Sequence, residues 1–327
     1  MPKEQSTHKS KCQSKRNPAI ELWRCICMFA VVYGHVVVNN HVGTMNGFVW
    51  HIPGFLLITG FFGVRFRWCK VIKLLSICYA CYWLTIPLQQ NGMDWGAFIP
   101  RGGWFVPFYV VLMMLSPILD AAIAQQESHR QMALMICFLL LFAWLPCFVP
   151  RLMMMRIGGM QGNGLLLMMA TYILGRLFAE HRVLQQINGL TAAFMFVLFV
   201  AIQIVLYGIF PSAGGYVSPL SILTAFCGFS CVAKCKMPWM LERIIVVISP
   251  SMFGVYLLHE CCVRHWQHSD FAAQSWGHAF IWAFCLFVVC LGIDFLRRFL
   301  FYIGSRFITR EFMRHNDNPA GNQCCES

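Results

Sequence analysis

The chain of 327 residues is 58% hydrophobic and only 12% charged, with 29 Phe and 19 Met, where a soluble domain carries about 25% charged residues. This composition rules out disorder and argues against an ordinary soluble enzyme. The mean hydropathy of +0.62 instead fits membrane helices of about 20 residues joined by short loops.

Residues 1–18 read as a polar, basic tail. No small-residue cleavage site follows the first apolar run, so that run is expected to stay as an uncleaved helix. Ten spans follow, near 20–39, 48–64, 71–88, 103–120, 132–149, 164–179, 189–210, 218–234, 244–260 and 276–297. The second is short and carries Pro53 and Gly54, which predict a broken or tilted helix. Turns are marked by Asn91-Gly92, Arg101-Gly102-Gly103, and the Pro- and Gly-containing stretches 150–164 and 211–215. The membrane domain is expected over 19–303. Residues 304–327 read as a second tail, disordered near its end.

The net charge of +12 would point to nucleic acid in a soluble protein. Here the basic residues lie between apolar runs. With a cytoplasmic N-terminus, 20 of the 25 Lys and Arg fall on the cytoplasmic side. Only Arg101, Arg151, Arg156 and Arg264 fall on the other, and Arg24 lies within the first span. That asymmetry predicts an even number of spans with both termini cytoplasmic. The expected fold is an all-α membrane bundle of about ten transmembrane helices, with no nucleic-acid partner. The 17 Cys are scattered through apolar runs and read as small hydrophobes. Cys78 and Cys81 have no second pair and do not read as a metal site.

The first span holds Glu21, Arg24 and His35. Eleven residues at 100° each make three turns plus about 20°, so Arg24 and His35 share one helix face, about 16 Å apart along the axis. Ionisable residues within a membrane helix usually face the bundle interior and mark a functional path. Arg24 is also near enough to the interface to snorkel, with Glu21 as a local partner at i−3. His35 alone could serve as a hydrogen-bonding contact between helices.

The segment ELWRCICMFAVVYGH, with Arg24 and His35 separated by ten residues, resembles the first-helix signature of the acyltransferase 3 family, integral membrane enzymes that move acyl groups to carbohydrates and other acceptors. Four further segments are similar to the family's elements, in order: FLLITGFF (55–62), with Thr59 in place of the usual Ser; WFVPFYVVLMMLSP (104–117); TYILGRL (171–177); and GVYLLHE (254–260). The resemblance covers about 20–300. It implies an O-acyltransferase of the bacterial inner membrane, most simply an O-acetyltransferase. The donor would be acetyl-CoA, and the acceptor a hydroxyl of an envelope or exported polysaccharide or of a lipid-linked saccharide.

Such a transfer needs a base for the acceptor hydroxyl, donors for the developing oxyanion, cations for the anionic carrier and exclusion of water. His35 is the candidate base; as a nucleophile it would instead carry the acyl group. Arg24 is the candidate cation at the cytoplasmic end, since Arg suits bidentate phosphate contacts. Arg65 and Arg67, in the basic run with Lys70 and Lys73, are further donor-binding candidates or simply positive-inside anchors. His259, expected at the outer end of the ninth span beside Glu260, and Tyr256 and Trp104, expected at span ends, are candidates for binding the acceptor; aromatic belts explain the last two as readily. Asp294 is expected to pair locally with Arg297 or Arg298. His265, His268 and His278 read as surface residues. Two rival readings stay open. One keeps the fold and transfers another acyl group such as succinyl, and the other is a transporter or flippase of a glycan precursor.

Overall fold

The computed structural model describes residues 17–43, 49–86, 103–127, a few positions between 130 and 137, 165–209, 218–266 and 269–316. Among these residues all regular structure is helical: α1 Pro18–Asn39, α2 His51–Phe62, α3 Trp68–Thr85, α4 Phe105–Ala124, α5 Leu165–Glu180, α6 Val183–Gln186, α7 Gly189–Ile209, α8 Pro219–Ala233, α9 Trp239–Ile248, α10 Met252–His265, α11 Asp270–Ala273 and α12 Trp276–Asn316. A helix stands at nine of the ten predicted spans. The fifth, 132–149, falls almost wholly outside the described residues. Among the described residues, five segments are long and apolar enough to cross a membrane: Pro18–Asn39, Phe105–Ala124, Gly189–Leu206, Trp239–Val263 and Trp276–Arg306.

α1 is the central element. Its start is fixed by Asn17, whose side chain accepts from Ala19 N at 3.0 Å, with Pro18 in the first turn and Glu21 toward the positive helix end. Its far end is held by Asn40, which donates to Val36 O at 2.9 Å and accepts from Ser269 N at 3.2 Å ahead of α11. Between the two, α1 packs on α2, α8, α9, α10 and α12. Trp23 stacks on Trp50 with ring centroids 5.2 Å apart. α1 therefore contributes to two of the three apolar clusters found among the described residues.

α2 corrects one expectation. Pro53 and Gly54 do not break it. Pro53 is the third helical residue, where its missing N–H removes no intrahelical bond. The ninth span holds the interruption instead. A 3₁₀ turn at Ser249–Ser251 separates α9 from α10 around Pro250, which cannot continue the ladder of hydrogen bonds. α12 runs unbroken for 41 residues, about 60 Å at 1.5 Å per residue. It continues as helix past the 303 boundary to Asn316.

Two close approaches set the packing. α2 and α5 cross at Gly60 and Gly175. A Cβ on Gly60 would collide with the Tyr172 carbonyl, and one on Gly175 would lie 2.6 Å from Leu57 O. This is the small-residue contact by which membrane helices bring their backbones together. Gly175→Val is therefore expected to force the helices apart and to destabilise the protein by about 1–3 kcal/mol or more. A lowered melting temperature in detergent checks this, and an unchanged value refutes the crossing. The second approach joins α10 to α12, where a Cβ on Gly254 would collide with Asp294 Oδ1. Asp294 is fully buried and pairs with Arg297, whose Nη2 lies at 2.7 Å and Nε at 2.8 Å. Arg298 reaches instead to Ser251 Oγ at 3.1 Å.

Candidate functional site

The α1 face predicted from spacing has a different environment at each end. At its start, Arg24 Nη1 donates to Glu21 Oε2 at 2.7 Å, so the local pairing predicted at i−3 is present. The Arg24 side chain keeps 32% exposure while Glu21 keeps 8%. A guanidinium has five N–H donors, and the bond to Glu21 uses one. Arg24 is also within electrostatic reach of Tyr109 on α4, which lies near the Thr59 side chain on α2. Thr59, the residue that stands where the family usually has Ser, also donates to Phe55 O at 2.9 Å. Polar groups from α1, α2 and α4 thus meet near Arg24.

Toward the other end of α1, the His35 ring stands edge-on to His259 of α10, with centroids 5.0 Å apart. Here the structure corrects the expectation for His259. It does not sit at the outer helix end. It lies within α10, followed by six more helical residues, and is only 1% exposed. Its Nδ1 is bonded to Tyr256 O one turn back. A carbonyl can only accept, so that nitrogen carries the proton and Nε2 carries the lone pair. Nε2 is buried and has no hydrogen-bond partner among the described residues. His51, the first residue of α2, is also buried and is within electrostatic reach of His259. Sequence reasoning missed His51. Its neighbourhood arises only where helices cross, and no spacing along the chain signals it.

Tyr256 links this histidine pair to the start of α4. Its ring lies 5.7 Å from the His259 ring, and its hydroxyl accepts from Phe105 N at 3.1 Å. Phe105 follows Trp104, whose ring packs on Phe105 and Phe108. Tyr256 is therefore a mid-helix residue and not the span-end aromatic expected from sequence. Trp104, Tyr256, His259 and His35 form a continuous series from the start of α4 to α1. Arg65 and Arg67 lie apart from this series, exposed in the loop between α2 and α3.

The remaining expectations divide clearly. Asp294 pairs with Arg297 as the spacing implied. His265 is exposed, and His278 caps its own helix start through Ser275 at 2.7 Å; His268 and three of the outer-side arginines, Arg101, Arg151 and Arg156, lie outside the described residues. Cys78 and Cys81 are free thiols buried in the apolar core. Among the described residues no group of His, Cys, Asp or Glu is arranged to hold a metal ion.

A buried imidazole with a free lone pair beside a second imidazole can accept and return a proton away from bulk water. Comparison of the sequence with curated proteins, and of the fold with solved structures, returned no match. The acyltransferase-domain family, by contrast, matches residues 17–297, nearly the whole helical bundle, and the chain belongs to the acyltransferase 3 family.

Proposed function

We propose that the protein is a membrane-bound O-acetyltransferase of a bacterial inner membrane. It would move acetyl from acetyl-CoA to a hydroxyl of a carbohydrate, either an envelope or exported polysaccharide or a lipid-linked saccharide. The observation that carries this reading is the α1 face itself, with Arg24 near one end and His35 against the buried His259 three turns away. The donor approaches from the end of the bundle that carries Arg24, Arg65 and Arg67, the cytoplasmic end by the positive-inside asymmetry. The acceptor hydroxyl meets His35 near Tyr256 and Trp104.

In the transfer, the acceptor oxygen attacks the thioester carbonyl while His35 takes its proton. The C–O ester bond forms, the C–S bond breaks, and the imidazolium returns the proton to the departing thiolate. His259, with Nε2 as acceptor, stabilises the charged form of His35. The alternative role, in which His35 holds the acetyl group between two transfers, uses the same geometry. Arg24 orients the anionic carrier. No metal takes part in these steps.

The experiment compares proton NMR spectra of envelope glycans, before and after mild base, from cells with and without the gene. An acetyl signal that depends on the gene supports the reading and names the acceptor. A base-labile succinyl signal changes the acyl group but keeps the chemistry. An unchanged acyl pattern with altered glycan amount or sidedness moves the protein to transport and overturns the proposal.

A further inference from the structure

α2 starts inside the bundle and not at its surface. Val49, Trp50, His51 and Ile52 are all buried. α1 and α11 begin with side chains that accept from the first turn, Asn17 and Ser269. α2 has Trp50 at that position, and its side chain makes no capping bond. It could not, because an indole only donates. Its Nε1 is itself buried without a hydrogen-bond partner among the described residues. The first bond within the helix runs from Gly54 N to Trp50 O at 2.9 Å. Pro53 has no N–H, and the N–H of Ile52 has no acceptor within the helix. This turn offers donors and the positive end of a helix dipole, and its cap residue brings no acceptor to meet them.

The place it faces is set by α1. Gly54 packs against that helix, where a Cβ would lie 2.7 Å from Cys27 Sγ and 3.3 Å from Trp23 Nε1. Three residues earlier, about 4.5 Å along the axis, His51 is within electrostatic reach of His259. The start of α2 thus lies beside the α1 face, between Arg24 and His35, with its open end toward the imidazole pair. His259 has Nδ1 tied to Tyr256 O, so Nε2 on the opposite edge of the ring looks away from the α10 backbone. That nitrogen is buried and has no hydrogen-bond partner among the described residues. A buried lone pair and a buried positive helix end therefore meet beside His35.

A purely structural start needs none of this, since Ser or Asp at position 50 would close the turn. A thioester carbonyl oxygen only accepts, and its negative charge grows as a hydroxyl attacks the carbon. Donors fixed in place and shielded from water stabilise that charge most.

We propose that the start of α2 is the oxyanion site of the acyl transfer. The Ile52 N–H and the positive end of α2 hold the acyl carbonyl oxygen beside His35. As the C–O ester bond forms, the carbonyl π pair moves onto that oxygen; as the C–S bond breaks, the pair returns. The hydroxyl proton passes through His35 to the departing thiolate, so the oxygen itself takes up no proton. This deepens the functional reading above and rests on its acyl-transfer chemistry.

Two variants of the full-length protein in nanodiscs remove the Ile52 N–H. Ile52→Pro uses a residue that the first helical turn tolerates. An ester in place of the His51–Ile52 amide, introduced as the α-hydroxy acid, keeps the side chain as well. Each is expected to lower kcat for acetyl transfer about 10²- to 10³-fold, with KM for acetyl-CoA within about twofold. The second readout uses the ketone analogue of acetyl-CoA, in which a methylene replaces the thioester sulfur, isotope-labelled at its carbonyl. Bound to wild-type protein, its infrared carbonyl stretch falls below the value in water; in both variants it returns toward that value. Unchanged kcat in the ester variant, or a carbonyl frequency that neither variant moves, overturns the proposal. So does a loss confined to melting temperature and yield, which marks a structural turn alone. Wild-type protein that neither transfers acetyl nor binds the analogue overturns the functional reading itself, an outcome told apart by the missing wild-type signal.

Discussion

Replacing His35 by alanine is expected to lower acyl transfer by roughly 10²- to 10⁴-fold, the range for removing a positioned proton-transfer group. The loss is expected to fall on kcat, because Arg24, the cation proposed to meet the donor, lies about three helical turns away and is untouched. Insertion and monodispersity should survive, since His35 is only half-buried and its neighbours Val36 and Val37 carry the packing. His259→Ala should lose less, because it removes a group that acts through His35. Rapid quenching with labelled acetyl-CoA and no acceptor distinguishes the two roles of His35: label retained on wild-type protein and absent from His35→Ala marks an acyl carrier. Full activity in His35→Ala would remove His35 from the chemistry altogether.

Arg297→Ala should be the most damaging change to stability, costing about 3–5 kcal/mol, because it leaves the buried Asp294 carboxylate without its cation. Asp294 is fully buried and Oδ2 already has no hydrogen-bond partner among the described residues. The ion pair with Arg297 therefore carries much of its compensation. The double variant Asp294→Leu/Arg297→Met removes both charges and should recover most of the loss. Unfolding in detergent, followed by the monodisperse fraction against temperature, measures all three proteins. If the double variant is as unstable as Arg297→Ala, the cost lies in packing and not in the orphaned charge.

What the sequence made legible was local. Arg24 with Glu21, and Asp294 with Arg297, both follow from i,i+3 spacing and both occur. The Arg24–His35 face follows from helix periodicity, and apolar run length marks nine positions at which the described residues form helices. What stayed hidden lies between helices. Tyr172 and Asp120 are 52 residues apart, and no periodicity links a tyrosine on one span with an aspartate on another. The same holds for His51 beside His259 and for Thr59 with Tyr109. The features that differ from expectation have local physical causes too. Pro53 predicts a break by its identity alone, yet its effect depends on position within the helix, which run length does not reveal. Tyr256 and His259 lie near the end of the apolar run, yet α10 continues past that run to His265 and holds both within the helix.

The contact of Gly254 with Asp294 has a bearing on His259, five residues and about 7.5 Å further along α10. A carboxylate occupies the space that a side chain at position 254 would need, and that carboxylate is itself locked to Arg297. Sliding α10 by one residue, about 1.5 Å, would bring Phe253 or Val255 against it. The crossing thus works as a depth stop. It sets the height of His259 along the bundle relative to α12, from a point that does not touch its ring.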